Sequence, residues 1–477
     1  MINKKFGKDL FLVVLSNGVK LLSSILTVFV IPLIFTQQDY GFYKLFLLYV
    51  SYVGIFHFGF NDGIYLYYAG KDYEELDKAQ FRTYTKFLAM MQSIIAIIIL
   101  GISFFLSGDR QIIVFLVGIN LIVLNLTTYY QFISQVTQRF KEFAVRNIIY
   151  TVFNVLLIGI FYLLEIMDYK LFLVFTVAIN LILLLWYVFS YKEITFGKTN
   201  RFMEQKDGIS LMFKLGILLL FSNLVVMFFS SIPRQFVEIN FPVELYPDIF
   251  SNFSFAYTLM GFTGVFLSAV SMVLYPTLRK SSDEELKNRY NDFNSSVIVL
   301  VFILIIAFFP LSYIVQRFLP NYTNAVEIFF VLAPGISITS AVTVVIHNYF
   351  KTLNKNKEFL IIGVINLALL TGAIYLVHNF ISQEIIYIAV TTVLVELIWF
   401  LTLDYYLNKE YNKISYRNIS FIIIASLLFY STLYLDGLLL GTLVYGVGIA
   451  LLTFLFYFDK IKQLLLYFTS NKPNKID

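Results

Sequence analysis

The chain has 477 residues, of which 59% are hydrophobic and 14% charged; its mean hydropathy is +0.78 and its formal net charge +5. Soluble domains carry about 25% charged residues, so a soluble globule, which could not hide this much apolar surface, and a disordered chain are both excluded. Unbroken apolar runs such as residues 94–100 (IIAIIIL) also argue against a barrel of alternating strands.

A membrane helix uses about 20 residues, and the apolar windows predict spans at about 10–35, 41–66, 84–107, 111–136, 144–165, 170–190, 210–232, 249–275, 294–317, 326–349, 358–379, 384–407, 418–435 and 437–457. The first is too long for a cleaved signal peptide, and Lys20 interrupts it. With these spans and a cytoplasmic N-terminus, 28 Lys and Arg fall in cytoplasmic segments, four on the opposite side and three within spans. The positive-inside rule therefore places both termini in the cytoplasm and supports the count, because one missed helix would invert every later loop. The longest loop on the opposite side, about residues 231–248, contains Pro233, Pro242 and Pro247 and leaves no room for an extramembrane domain. On the cytoplasmic side, residues 282–285 (SDEE) read as a capping box. The tail at 459–469 (DKIKQLLLYFT) reads as an amphipathic helix on the inner leaflet.

Two stretches repeat. Residues 141–143 and 357–359 are both Lys-Glu-Phe, follow basic loops, and open the fifth and eleventh spans. Residues 39–43 (DYGFY) and 246–250 (YPDIF) correspond loosely before spans two and eight. Six spans per half give both halves one orientation. The expected fold class is thus an all-α polytopic membrane protein of about 14 helices. It has two pseudo-symmetric six-helix lobes, 1–200 and 205–408, and two additional helices with a cytoplasmic tail, 409–477. Such repeats are typical of transporters, with a substrate cleft between lobes that rock to give alternating access.

Charge inside a bilayer costs about 2.5–3.5 kcal/mol per residue on insertion scales and is functional by default. Lys20 sits near the middle of span one on a polar stripe with Ser16, Ser23, Ser24 and Thr27, flanked by Asn17. It reads either as a cation lining a wet cleft for an anionic headgroup or as the partner of an inter-helix carboxylate. Glu396, in span twelve with Thr392 and Trp399 on its face, binds a coupling ion or ties helices together. In span two, His57 and Asn61 at i, i+4 share a helix face beside Asp62, suiting gating contacts or a proton relay. Arg234 and Glu238 stand at the outer mouth of span seven as exit guards or interfacial anchors. Lys44 and Lys214, near helix ends, read as snorkelling side chains. Ser254, Thr258, Gly261 and Thr263 suit close packing or a cavity wall. There is no cysteine, so no thiol nucleophile or Cys-ligated metal exists, and His57, His347 and His378 show no metal spacing. No phosphate-binding GxxxxGK[ST] loop occurs, so the chain alone is not an ATP-driven pump. No carboxylate cluster marks an extramembrane catalytic loop, and an enzyme is not expected.

Several stretches resemble bacterial polysaccharide flippases of the multidrug/oligosaccharidyl-lipid/polysaccharide exporter superfamily. They are residues 39–43, 59–66 (GFNDGIYL) with 71–73 (KDY), 232–238 (IPRQFVE) with 255–257 (FAY) and 274–278 (LYPTL), and 388–392 (IAVTT) with Glu396 and 404–407 (DYYL). Tyr67 stands where many relatives carry Arg, and Pro233 where many carry Asp. The resemblance implies a two-lobe bundle in the bacterial cytoplasmic membrane. It would flip an undecaprenyl-pyrophosphate-linked oligosaccharide from the inner to the outer leaflet, driven by a Na+ or H+ gradient and without a cofactor. Lys20, Asn17, Ser24 and Arg234 would hold the substrate. Glu396, Asp62, His57 and Glu238 would couple ions or gate. The expected partners are the lipid-linked substrate, membrane lipids and other polysaccharide-assembly proteins, with no nucleic acid. The alternatives are a multidrug or small-cation antiporter of the same superfamily and a membrane-embedded polysaccharide polymerase.

Overall fold

A bilayer core offers no water to bond a backbone, so a spanning segment must satisfy its N–H and C=O groups internally, which selects helices for apolar runs of this length. The computed structural model describes residues 4–411, 416–435 and 437–470, and among them every regular element is helical. Among the described residues, ten helices are long and apolar enough to cross a membrane, or eleven when one bent pair counts as a single span. The chain is a multi-pass membrane protein. The remaining predicted spans fall on the helices Lys4–Ile34 and Pro247–Lys280 and on the shorter Arg417–Thr432. Below, the helix ends that carry the basic loops are called the basic end, and the others the charge-poor end.

The chain divides into two units, Met1–Val265 with Asn356–Leu367, and Phe266–Lys355 with Ala368–Asp477. The first holds α1 (Lys4–Ile34), α2 (Gln37–Ser51), α3 (Phe60–Tyr67), α4 (Lys78–Ser103), α5 (Gly108–Val136) and α6 (Phe140–Leu163). It continues with α7 (Tyr169–Ser190), the short α8 (Lys192–Thr195), α9 (Lys206–Asn240) and the first part of α10 (Pro247–Lys280). Polar residues start several of these helices as the sequence requires. Asp77 and Asp168 accept the first free N–H groups of α4 and α7, and Thr36 accepts the Asp39 N–H at 3.2 Å to cap α2.

The second predicted span is broken. α2 runs into a 3-10 turn at Val53–His57, and α3 leaves at 61°. Phe58 and Gly59 adopt left-handed φ values of 50° and 85°. The expected shared helix face of His57 and Asn61 is therefore corrected, because the break lies between them. A polar network satisfies the carbonyls that the break releases. Asn125 Nδ2 donates to Val53 O (3.1 Å) and to Gln92 Oε1 (2.7 Å), Gln92 Nε2 donates to Phe56 O (2.9 Å), and Asn61 Nδ2 donates to Asn125 O (3.0 Å). Irregular backbone persists at membrane depth only with such partners.

Past the break, α3 packs directly on α9. A methyl added at Gly63 would lie 2.6 Å from the Met212 carbonyl carbon, and one at Gly59 would lie 2.5 Å from the Ile217 nitrogen. Gly216 faces the Gly59 carbonyl just as closely. The two backbones touch without side chains between them, the small-residue packing that apolar solvent favours.

The second unit contains α11 (Asp283–Leu304), α12 (Phe308–Phe318), α13 (Thr323–Ser340), α14 (His347–Thr352), most of α15 (Asn356–Phe380), α16 (Ile385–Glu410), α17 (Arg417–Thr432) and α18 (Leu438–Ser470). The expected capping box opens α11, with Glu285 N donating to Ser282 Oγ and Ser282 N to the Glu285 carboxylate. A π-helical stretch, Ala341–Ile346, joins α13 to α14. At the basic end, Asp404 of α16 accepts from Tyr290 (2.7 Å), Asn294 (3.1 Å) and Asn408 (2.9 Å), which ties α11 to α16. The predicted amphipathic tail continues α18 beyond a break at Tyr457, and its side chains after residue 459 lie outside the described residues.

Candidate functional site

Within the first unit, Lys44 and Arg234 stand in apolar helices, and neither has a counter-ion among the described residues. Lys44, on α2, is only 8% exposed. Its Nζ lies 5.0 Å and 5.3 Å from the ring centres of Tyr40 and Tyr43, which its own helix places one turn and one residue earlier. Arg234, on α9, lies 5.4 Å from the Tyr257 ring of α10 and donates from Nε to Ser230 O at 3.0 Å. Both cations thus belong to the first unit, each beside a tyrosine ring. Tyr52, at the end of α2, donates its hydroxyl to Gln235 Oε1 of α9 at 3.4 Å. Among the described residues no carboxylate reaches ion-pair distance of either cation. Each cation costs about 2.5–3.5 kcal/mol to insert, and a cation–π contact returns about 0.5–2 kcal/mol. The rings therefore offset part of the cost for each, and an anion beside either cation would offset the rest. Phosphate and pyrophosphate suit a guanidinium and an ammonium in this way, through a planar fork and a point charge respectively.

Snorkelling thus does not describe Lys44, which is enclosed by rings. Its signal in the sequence was Tyr40, one helical turn earlier on the same face. Of the residues expected to hold substrate, only Arg234 belongs to this pair. Lys20 is exposed on α1, and no hydrogen bond or ion pair among the described residues joins it to Arg234. Ser24 donates its hydroxyl to Lys20 O at 2.8 Å, within its own helix. The side chain of Asn17 lies outside the described residues.

The expected gating residues divide among three places. His57 Nδ1 and Asp62 Oδ2 come within 3.7 Å. The same Nδ1 accepts the Gly59 N–H at 3.1 Å, so that nitrogen carries no proton toward Asp62. Glu238, at the charge-poor end of α9, is 2% exposed and pairs with Arg110 of α5, which also holds Glu244 at 2.7 Å. Partial burial raises the Glu244 carboxyl, but the Arg110 hydrogen bonds and charge outweigh it and hold the group below the usual carboxylate range.

Glu396 lies in the second unit, on α16. It is 4% exposed, and its Oε2 has no hydrogen-bond partner. Gly335 of α13 makes room for it, since a methyl there would lie 2.5 Å from that oxygen. No Lys, Arg or His among the described residues pairs with it. Thr392 donates to Ile388 O and so serves its own helix. An isolated carboxyl in this setting is stable only when neutral or when a cation joins it.

A cavity of about 350 Å³ near the charge-poor end, lined partly by Asp39, Asp109 and Asp168, is internally satisfied. Asp39 takes the Thr36 hydroxyl, Asp109 takes Tyr169 and Lys170, and Asp168 caps α7.

No family model matches the chain, and no curated protein matches it. Solved structures do. The chain is similar to the lipid II flippase MurJ in an inward closed conformation, with a TM-score of 0.68 at 14% identity, covering 95% of this chain and 99% of that one. It is also similar to an inward-facing multidrug resistance MATE transporter, with a TM-score of 0.61 at 12% identity, covering 83% and 94%. A third likeness is to a transporter of the same superfamily from Pyrococcus furiosus, described by the reverse polarity of its binding pocket. Its TM-score is 0.52 at 11% identity, with coverage of 85% and 97%. The chain shares the fold of these solved transporters.

Proposed function

We propose that the protein is a flippase that carries an undecaprenyl-pyrophosphate-linked oligosaccharide from the inner to the outer leaflet of a bacterial cytoplasmic membrane. The observation that supports this reading is the Lys44–Arg234 pair, one buried and one half-buried cation, each beside a tyrosine ring and with no carboxylate at ion-pair distance among the described residues. Opposite charge attracts more strongly at low dielectric, so the pair favours an anionic headgroup over a cationic cargo. The tyrosines add flat faces on which sugar rings stack. Lys20, Asn17 and Ser24 stay in the proposal as a separate polar stretch on α1 that meets the headgroup first. The two six-helix lobes, the cytoplasmic termini and alternating access by rocking belong to it as well. Glu396 serves as the coupling group, taking a proton, with Na+ as the other candidate ion. Asp62 and His57 sit beside the break in the second span, where movement of α3 would act on them.

A multidrug or small-cation antiporter is the second reading, and Glu396 favours it, because an unpaired buried carboxyl also receives a cationic drug. A membrane-embedded polymerase has no comparable support.

The test uses purified protein in proteoliposomes with a fluorescent lipid-pyrophosphate oligosaccharide. Lys44→Ala with Arg234→Ala is expected to lower the flipping rate at least tenfold while the helical content stays that of the native protein. Flipping at the native rate by the folded double variant would remove the pair from the mechanism.

A further inference from the structure

Helix α9 is held in two contrasting ways along its length. Toward the basic end, Gly216 meets Gly59, just before α3, and Gly63 of α3 backbone to backbone, a contact with no side chain to rearrange. Gly216 and Glu238 lie 22 residues apart, and at 1.5 Å per residue that is about 33 Å, the thickness of a bilayer core. At the far end the hold is a set of ion pairs. Arg110 Nε reaches Glu244 Oε1 at 2.7 Å, Arg110 Nη2 reaches Glu244 Oε2 at 3.1 Å, and the same Nη2 holds Glu238. The Arg110 and Glu244 side chains are 31% and 36% exposed, so water reaches both. The Arg110–Glu244 pair, in contact with water, exchanges readily, whereas Glu238 is 2% exposed and its ion pair is with Arg110.

Between the two holds, α9 contains Pro233. Proline has no N–H to donate to the Phe229 carbonyl one turn earlier, and its ring crowds that turn. A helix interrupted in this way bends at the proline more readily than elsewhere. The segment past it, Arg234 to Asn240, carries a cation of the candidate site at its start and the latched carboxylate Glu238 one turn later. The fixed seam, the hinge and the exchangeable lock therefore lie in order on one helix.

We infer that residues 234–240 of α9 form a hinged flap over the Lys44–Arg234 site, pivoting at Pro233 and locked to α5 by Arg110 with Glu238 and Glu244. When the lock is closed, Val237 is buried within the flap at 0% exposure and Arg234 stays over Tyr257. When it opens, the flap swings away from α5 and α10, and Arg234 moves with it, which uncovers the site from the charge-poor end. The glycine seam stays closed throughout. This inference rests on the transport reading for its purpose, but its physical content does not depend on which cargo is moved.

The chain has no cysteine, so single cysteines can be introduced without a background. The experiment labels Val237→Cys in sealed proteoliposomes with a membrane-impermeant maleimide applied from the charge-poor side. In the otherwise native chain labelling is slow. Adding Glu238→Gln and Glu244→Gln removes the lock while keeping side-chain size, and labelling is expected to speed up at least tenfold. Adding Pro233→Ala to that variant rebuilds a continuous helix and is expected to slow labelling at least threefold. Exchanging the charges, Arg110→Glu with Glu238→Arg and Glu244→Arg, is expected to restore protection. Val301→Cys, buried in the second unit, reports general loosening. An unchanged Val237→Cys rate on cutting the lock overturns the inference, and so does equal acceleration at Val301→Cys. Indifference to Pro233→Ala also overturns it, since the hinge is part of the claim. If labelling follows the expected pattern while the lipid-linked substrate is not flipped, the flap stands and the cargo assignment falls.

Discussion

Gly216→Ala is expected to lower the apparent melting temperature of the detergent-solubilised protein by about 5 °C or more, because overpacking a contact of this kind costs about 1–3 kcal/mol or above. The new methyl would overlap the Gly59 carbonyl and the turn that follows it. Neither is the end of a flexible side chain, so one helix has to move. Gly59 cannot give way, because its φ of 85° belongs to the left-handed region that its glycine permits. The control is Gly159→Ala on α6, where a methyl meets nothing within 4 Å. An interior helical glycine costs about 1 kcal/mol relative to alanine, so this second variant is expected to melt at the native temperature or slightly above. Equal melting of the two variants would show that the α3–α9 seam is looser than drawn here.

The second large effect concerns Glu396. Glu396→Gln keeps the side chain's size beside Gly335 and removes its ability to bind and release a proton. Flipping driven by an imposed pH gradient is expected to fall at least tenfold, and substrate binding is expected to stay near native because the Lys44–Arg234 pair lies in the other unit. Melting should hardly change, since no ion pair is lost. A variant that remains gradient-driven would leave Glu396 as a buried packing residue. Loss of binding together with transport would place it against the cargo instead.

Much of the fold was legible in the chain because bilayer physics is strict. Apolar runs of helical length can become only helices there, and the capping box at Ser282 stands where its spacing put it. The break between α2 and α3 was not legible. No proline marks it, Gly59 resembles any other glycine, and the i, i+4 spacing of His57 and Asn61 suggested continuous helix. What stabilises the break is a set of amides from distant helices, Gln92 and Asn125, whose convergence no local pattern encodes. The site was legible in part. Arg234 stood out as a charge near a helix end, whereas Lys44 was discounted by the same argument, because snorkelling treats a lysine as alone on its helix. The rings of Tyr40 and Tyr43 enclose it instead. Glu238 read as a gate at the helix mouth, and its partner Arg110, 128 residues earlier, became visible only in three dimensions.

The most direct measurement compares three cargoes in one proteoliposome preparation: the fluorescent lipid-pyrophosphate oligosaccharide, the same glycan on an uncharged lipid, and a cationic dye. The account predicts movement of the first, at least tenfold slower movement of the second, and none of the third. Transport of the dye without transport of the pyrophosphate lipid would contradict it.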